Sequence, residues 1–263
     1  MMRTLSLAAG TLVAAMTLVV TDAQAAGTDS KAGAVSKEIA VAVADPARPE
    51  KDRDRDADRK PAESVAFAGV KPGQTVADLI PGSGYFTRIF SGAVGPNGHV
   101  YAVAPPKRPD APPDRPDPAA AVQAIAADPH YGNVTVVQGK LTEMSLPTQA
   151  DVIWTSQNYH DLHNNPKEDV DAFDKKVLAA LKPGGVFIVL DHTAEKGSGF
   201  RDTNTLHRID PEAVKKELEA AGFKYVGESD VLHNANDPHT AKVFDPSIRG
   251  KTDQFILKFR KPK

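Results

Sequence analysis

Hydrophobic and polar positions follow two different periods along most of the chain. Short runs rich in β-branched residues predict buried strands, and they occupy residues 75–78, 99–103, 134–137, 151–155, 186–190, 223–231 and 255–259. Longer amphipathic runs predict helices over residues 85–94, 119–127, 167–181 and 211–222. Because strands and helices alternate regularly, we predict an α/β fold with a Rossmann-like, doubly wound and mostly parallel sheet.

The last two strands break this alternation. No helical pattern separates the run at 223–231 from the run at 255–259. Strands that are joined without a crossover helix pair antiparallel, so we expect this pair at one edge of the sheet.

A glycine turn joins the first strand to the helix that follows it. Gly82 and Gly84 lie between the strand that ends in Asp78 and the helix that begins at Tyr85. Glycine permits both a tight turn and a close approach of the backbone to a small molecule. In a doubly wound sheet, ligands lie beyond the carboxyl ends of the strands. The turn therefore predicts a cradle for a cofactor.

The segments around these elements are strongly polar. Short helices are predicted over residues 35–44 and 61–67. Between them, residues 48–61 alternate positive and negative charges, which is typical of a solvated surface. Prolines crowd residues 104–118, directly after the second strand, and we expect this connection to form a wall of the cofactor cleft.

The first 25 residues have the organisation of a secretory signal peptide. Arg3 precedes an apolar run at residues 5–20, and the Ala-Gln-Ala pattern at residues 23–25 predicts cleavage before Ala26. An uncleaved anchor is the alternative, but the run contains Gly10 and is shorter than the roughly 20 residues of a spanning helix. We therefore predict a periplasmic or secreted protein that has no stable membrane insertion after cleavage.

The remaining residues form two segments. Residues 26–60 are predicted to be an N-terminal extension, disordered to about residue 33 and then helical and charged. Residues 61–263 are predicted to form one domain with a large core. The chain has no cysteine, which excludes disulfides, thiolate metal sites and a cysteine nucleophile. Its formal net charge of −2 and lack of a basic stripe argue against a nucleic-acid partner. The oligomeric state is not indicated.

Several motifs together resemble the class I S-adenosylmethionine-dependent methyltransferases. They are the glycine turn at residues 76–86, the Leu-Lys-Pro-Gly-Gly turn and strand at 181–189, and the final hairpin. Residues 158–163, 206–210 and 249–253 further resemble a group of exported, predicted methyltransferases of unknown substrate. The resemblance implies a seven-stranded sheet with the last strand reversed. It also implies transfer of a methyl group from S-adenosyl-L-methionine to a small-molecule acceptor by the 61–263 domain.

The sequence departs from the superfamily pattern at two positions of the cradle. Ile80 stands where the superfamily usually has its first glycine, and Ala104 stands where an acid usually binds the ribose hydroxyls. A missing carboxylate removes a charge-assisted hydrogen bond of about 1.5–3 kcal/mol, so we expect weakened cofactor binding. The resemblance nevertheless implies a set of cofactor-binding residues: Asp78, Pro81, Gly82, Ser83, Gly84, Tyr85, Gln157 and Asn158.

Histidines gather in the loops at one edge of the predicted sheet. Six of them follow the later strands, and the other two, His99 and His130, map to the opposite edge. The predicted catalytic residues follow the fourth strand: His160 as the base, Asp161 as a group that orients it, and Tyr159.

A second polar wall is predicted to bind the substrate. It consists of His192, His207 and Arg208, and the arginine would suit an anionic acceptor. The alternative for Arg208 is a structural ion pair with Asp210 or Asp191.

Two other functions remain open from the sequence. Hard and borderline ligands in the same loops allow a metal-dependent enzyme, although no tight ligand spacing is present; they are His160, Asp161, Asp191, His192 and His207. Alternatively, the substitutions Ile80 and Ala104 allow an inactive relic that only binds a ligand. A nicotinamide-dependent oxidoreductase is disfavoured by the closing hairpin and by the missing ribose acid. We expect the base mechanism, without a metal.

Overall fold

A computed structural model describes Met2, residues 33–165 and residues 168–263 of the chain. The chain forms one seven-stranded sheet with the strand order β3-β2-β1-β4-β5-β7-β6. The strands are β1 Thr75–Leu79, β2 His99–Ala104, β3 Val134–Gln138, β4 Ala150–Ser156, β5 Leu181–His192, β6 Lys224–Ser229 and β7 Gln254–Arg260. The predicted signal peptide lies outside the described residues except for Met2, and so does most of the predicted disordered segment.

Helices cover both faces of the sheet. They are α1 Lys37–Val43, α2 Glu50–Arg53, α3 Asp56–Arg59, α4 Pro61–Ala68, α5 Tyr85–Val94, α6 Ala120–Ala126, α7 Tyr159–Leu162, α8 Val170–Ala180 and α9 Pro211–Ala220. Side chains cap several of them as the sequence predicts: Asp210 accepts the backbone N–H of Glu212 before the proline that opens α9. Within the described residues, no helix combines the length and the apolar character needed to cross a membrane.

Strand directions confirm the predicted fold class. The pairs β1–β2, β1–β4, β2–β3 and β4–β5 are all parallel. Strand β7 is antiparallel to both of its neighbours, β5 and β6. The sheet is therefore mostly parallel with its last strand reversed, and the two final strands pair antiparallel as expected.

The sheet separates two apolar cores. One contains Trp154, Phe86 and Phe90 and lies between the sheet and helices α1 and α5. The other packs β5 residues such as Phe187 against residues from α8 and α9. Since β1 and β4 lie between both cores, the loops at their carboxyl ends are supported from each side.

The structure confirms a solvated surface for most of residues 48–61, which are exposed or partly exposed. The exceptions among the charged residues of this stretch are Arg48 and Asp52, which are 1% and 2% exposed. Arg48 forms a bidentate ion pair with Asp56, with distances of 2.8 and 2.7 Å. In such a pair, the contact between the two opposite charges replaces the contacts with water that each charge loses on burial. We call residues 48–59, which include α2 and α3, the cap.

Two other element boundaries differ from the prediction. Helix α8 begins at Val170 rather than at residue 167, because the Asp169 side chain caps it by accepting the Ala172 backbone N–H. Strand β5 runs from Leu181 to His192, and it is therefore longer than the predicted run at 186–190. Pairing with both β4 and β7 along its length explains this extension.

A long irregular segment, residues 230–253, joins β6 to β7. Its Asp237 forms a bidentate ion pair with Arg208, at 2.8 and 3.0 Å, and both side chains are fully buried. Asp237 also accepts the backbone N–H groups of His239 and Asp253. These bonds fasten the segment to the chain that follows β5.

Candidate functional site

A cavity of about 210 Å³ opens at the carboxyl ends of β1 and β4. Neighbouring strands whose connections run in opposite directions leave a crevice at this point of a doubly wound sheet. The cavity is lined by residues from the cap, the glycine turn and the loop after β4: Arg55, Arg59, Asp78, Ile80, Pro81, Gly82, Ser83, Tyr85, Phe86, Ser156, Gln157 and Asn158. We call it the cradle.

The two glycines of the turn have different functions. Gly82 has a φ of +57°, and a Cβ added there would meet nothing within 4 Å. Gly84 has a φ of +78°, and a Cβ there would collide with the Ile125 side chain. Gly84 therefore permits close packing of α6, whereas Gly82 keeps free space in front of the backbone.

Ile80 has the conformation that glycine usually provides. Its φ is +52°, in the left-handed region that costs a non-glycine residue about 1–2 kcal/mol. The Ile80 N–H donates to the Val103 carbonyl at 2.8 Å, and its own carbonyl accepts from the Asn158 side chain at 3.1 Å. The departure from glycine thus leaves the path of the turn intact. Gln157, on the facing loop, has a similar φ of +60°.

Asp78 is buried at the base of the cradle. Its carboxylate accepts a hydrogen bond of 2.6 Å from Thr87. Burial raises the pKa of Asp78 to about 7, although the Thr87 hydrogen bond and the nearby positive charge of Arg59 oppose the shift. A cationic group of a ligand would stabilise the ionised carboxylate.

A histidine cluster lies next to the cradle. His160 is 3% exposed, and its Nδ1 lies 2.8 Å from Oδ1 of the fully buried Asp191. The other oxygen of Asp191 accepts the His160 backbone N–H at 2.9 Å. Burial alone would lower the pKa of His160, but the charge and hydrogen bond of Asp191, together with the charge of Asp161, raise it above its ordinary value.

His207 and Asp161 face the other nitrogen of His160. Nε2 of His160 lies 3.3 Å from Nδ1 of His207 and 3.4 Å from Oδ1 of Asp161. The backbone of His207 has a φ of +56°, and its side chain is 26% exposed. These three residues offer ligand atoms within 4.8 Å of one another, so they could also hold a metal ion. His207 is the histidine of this pair that opens to solvent.

His192 adjoins this cluster, with its ring centroid 6.3 Å from that of His160, whereas His233, His239 and His99 lie apart from it. His192 donates to or accepts from Thr252 at 2.8 Å, and burial lowers its pKa to about 4. His233 and His239 each lie 2.9 Å from an oxygen of Asp253. Like the clustered histidines, these three follow strands at the carboxyl edge. His99 begins β2 at the opposite edge, as predicted.

No protein-family model matches the chain. The chain is 27% identical over 176 residues to the ubiquinone/menaquinone biosynthesis C-methyltransferase UbiE of Shewanella woodyi. The aligned region covers 65% of this chain and 64% of that protein. The chain thus spans slightly less than two thirds of this relative.

Solved structures share the fold over about three quarters of the chain. The glycopeptide N-methyltransferase MtfA in complex with S-adenosylmethionine matches with a TM-score of 0.52 and 16% identity, over 76% of this chain and 86% of MtfA. The [4+2]-cyclase SpnF matches with a TM-score of 0.57 and 20% identity, over 78% of this chain and 81% of SpnF. The chain has the class I methyltransferase fold. The resemblance to class I S-adenosylmethionine-dependent methyltransferases is confirmed, and the resemblance to an exported group stays a prediction.

Most of the expected cofactor residues of this class I fold come together. Seven of the eight line the cradle, and the exception is Gly84, which is packed against α6. Asn158 also holds the turn, since its side-chain nitrogen donates to the Ile80 carbonyl. The cradle lining contains no residue of 104–118, so the expectation that this connection walls the rest of the cofactor cleft stays a prediction.

The structure corrects two of the predicted site residues. The hydroxyl of Tyr159 lies 3.0 Å from the buried Asp174 carboxyl group and 2.8 Å from the partly exposed Glu217, because its side chain belongs to the core beneath α8 and α9. Arg208 is fully buried against Asp237, so its guanidinium does not face a substrate. The structural alternative for Arg208 is favoured, but with Asp237 as the partner rather than Asp210 or Asp191.

Sequence reasoning underestimated two residues of the class I site. Asp191 rather than Asp161 makes the close hydrogen bond to Nδ1 of His160; its position at the end of β5, the strand next to β4, was the available signal. Arg59 lines the cradle and donates to the Ser156 hydroxyl at 3.1 Å. No local pattern distinguishes Arg59 from the other arginines of the cap.

Proposed function

We propose that this protein is an S-adenosylmethionine-dependent methyltransferase that acts on a small-molecule acceptor. The cradle carries the proposal, because Gly82 leaves open space against the backbone at the crevice between β1 and β4. The buried carboxyl group of Asp78 lies beside this space and suits a cationic ligand. S-adenosylmethionine would supply a methyl group on a sulfonium, and the protein would orient the acceptor and remove its proton.

We infer that His160 is the base and that His207 connects it to the acceptor. Asp191 keeps its charge, because His160 opposes the effect of burial and lowers the Asp191 pKa, so the carboxylate accepts the Nδ1–H of His160. This hydrogen bond leaves Nε2 of neutral His160 without a proton, and Nδ1–H of His207 can donate to it. When Nε2 of His207 takes a proton from the acceptor, Nδ1 of His207 passes its own proton to Nε2 of His160. The charge of Asp191 stabilises the resulting imidazolium.

The acceptor class follows from this arrangement. A base is needed only where the attacking group must lose a proton, as for a hydroxyl, an amine or an activated carbon. The name of the UbiE relative describes a C-methyltransferase of quinone biosynthesis, which is consistent with the last group. Phe244, 56% exposed, contacts the His207 ring with centroids 4.9 Å apart, and it offers an apolar surface to an aromatic acceptor.

The first experiment measures cofactor binding and methyl transfer separately. Residues 26–263 are titrated with S-adenosylhomocysteine in a calorimeter, and radiolabelled S-adenosylmethionine is offered with a panel of phenols, amines and soluble quinols. Replacing His160 with Gln should lower transfer to the acceptor found in this way by about 10²-fold or more, because the titrating group is lost. The affinity for S-adenosylhomocysteine should change by less than about twofold. His233→Gln, which alters an exposed histidine outside the cluster, is the matched control.

Two other functions remain as outcomes of this experiment. The ligand atoms of His160, Asp161 and His207 support a metal-dependent enzyme, for which a chelator would abolish turnover and added metal would restore it. The [4+2]-cyclase with this fold shows that the fold alone does not select methyl transfer. Absence of heat with millimolar S-adenosylhomocysteine would contradict the proposal and favour the inactive relic.

We further propose that the protein is exported to the periplasm or secreted after cleavage of residues 1–25. The support is the sequence pattern alone, with its charged start, apolar run and Ala-Gln-Ala site. Intact-mass analysis of the protein from the periplasmic fraction should show a chain that begins at Ala26. A mass that retains Met1 would contradict export by this route.

A further inference from the structure

The cap is clamped directly onto the glycine turn. Asp56, already paired with Arg48, also accepts the hydroxyl hydrogen of Tyr85 at 2.5 Å. A second contact joins Arg88 to Asp52 at 3.2 Å. Both Tyr85 and Arg88 belong to the first turns of α5, the helix that the glycine turn opens. The cap is therefore a part of the cradle rather than a separate surface.

Arg59 is the cation that the cap places in the cradle. Its guanidinium lies over the rings of Tyr85 and Phe86, 4.4 and 5.0 Å from their centroids, and it donates to Ser156. Burial lowers the pKa of Arg59 to about 10, and Arg55 adds to this effect. Among the described residues, no carboxylate lies within the 4.0 Å of an ion pair with Arg59. A cation that is removed from water and has no anion is costly, so the position suits an anionic ligand group.

Asp78 lines the same cavity as Arg59, and its ionised carboxylate has the opposite charge. The two side chains do not form an ion pair, although the charge of each one influences the pKa of the other. An α-amino acid has an ammonium and a carboxylate on one carbon, and it matches such a separated pair of charges. The cavity of about 210 Å³ is smaller than the roughly 300 Å³ at which ligand pockets begin, so it suits one end of a larger ligand.

We propose that Arg59 binds the carboxylate of the amino-acid end of S-adenosylmethionine, with Asp78 on the side of its ammonium. This inference rests on the proposed function. The planar guanidinium can bind a carboxylate through two parallel hydrogen bonds, while the faces of Tyr85 and Phe86 hold it in place. The cap thereby contributes the selectivity for an amino acid over a plain nucleoside.

Two ligands that differ in the amino-acid end test the proposal. S-adenosylhomocysteine has this end, and 5′-methylthioadenosine lacks it but retains the thioether and the nucleoside. For the unaltered chain, we expect S-adenosylhomocysteine to bind more tightly in calorimetry. Arg59→Gln should lower the affinity for S-adenosylhomocysteine by about 10- to 150-fold, the range expected for loss of a hydrogen bond to a charged group. It should change the affinity for 5′-methylthioadenosine by less than about twofold.

Two further variants separate recognition from folding. Arg59→Lys keeps the charge but loses the bidentate geometry, and it should recover part of the affinity. Lys51→Gln removes an exposed charge from the same cap, and it should leave both affinities unchanged.

The outcomes distinguish this inference from the proposed function. The role of Arg59 would be overturned if Arg59→Gln lowered the affinities for both ligands equally. It would also be overturned if the unaltered chain bound both ligands with equal affinity. In either case the cradle would still bind a nucleoside. Failure of the unaltered chain to bind either ligand would overturn the proposed function as well.

Discussion

Single backbone angles explain why the cradle keeps its shape despite an unusual sequence. Ile80 stands where the superfamily usually has glycine, and branched side chains rarely adopt a positive φ. The structure instead holds Ile80 at +52° between hydrogen bonds to Val103 and Asn158. Contacts from β2 and from the loop after β4 thus impose a conformation that the residue itself disfavours, and no local sequence rule reports such contacts.

Gly82 and Gly84 give a testable contrast at the same scale. Gly82→Ala should fold, since its Cβ meets nothing within 4 Å. Its free energy of unfolding should fall by about 1–2 kcal/mol, because alanine disfavours the left-handed backbone. A ligand that touches this backbone should lose affinity by about tenfold or more, because the methyl group fills the space. Gly84→Ala should lower the melting temperature further, because it collides with Ile125.

Thermal unfolding and S-adenosylhomocysteine titration measure these two effects. Unchanged affinity in folded Gly82→Ala would mean that the ligand does not approach the backbone at this point.

At the scale of elements, the cap was the least predictable part of the fold. Its alternating charges match those of a solvated helix surface. Only contacts with residues distant along the chain distinguish such a surface from a segment that packs on the cradle. Tyr85 is 29 positions from Asp56, and Arg88 is 36 positions from Asp52. The elements of the sheet were predictable because their apolar periodicity is local. The boundary drawn at residue 61 between the extension and the domain stays a prediction.

Helices α7, α8 and α9 meet around two acidic groups, of which Asp174 is buried and Glu217 is partly exposed. The single hydroxyl hydrogen of Tyr159 can serve only one of the two carboxyl groups of Asp174 and Glu217 at a time. Burial, followed by the charge of Glu217, raises the pKa of Asp174 to about 8. The folded protein therefore binds the Asp174 proton more tightly than the unfolded chain does.

This shift predicts a pH dependence of stability with a definite sign. The contribution of protonated Asp174 is complete below its ordinary pKa of 3.8 and is lost as the pH rises through about 8. Asp174→Asn cannot ionise, so the variant should gain stability relative to the unaltered protein as the pH rises from about 5 to about 8. Urea unfolding at several pH values measures the difference.

Glu219→Gln, at an exposed position of α9, is the control and should follow the unaltered protein over this range. If the Asp174→Asn curve also runs parallel to that of the unaltered protein, Asp174 does not hold the proton.

At the scale of the whole molecule, the sequence predicted the fold better than the site. Regular alternation of strands and helices, and the unbroken pair at the end, were sufficient for the sheet and its reversed strand. The loops at the carboxyl edge were placed correctly, but the direction of each side chain was not. Tyr159 and Arg208 turn into the protein interior, while Arg59 reaches the cradle from a segment that precedes the sheet. Such directions depend on tertiary packing rather than on position along the chain.

The buried pair of Arg208 and Asp237 has a consequence for how the segment at residues 230–253 fluctuates. Irregular segments of this length commonly exchange their amide hydrogens with water through small local openings. Here the amide hydrogens of His239 and Asp253 are held by Asp237, and releasing them exposes a desolvated ion pair whose disruption costs about 3–5 kcal/mol. These amides should therefore exchange as slowly as those of the neighbouring strands, because they open only together with the edge of the sheet.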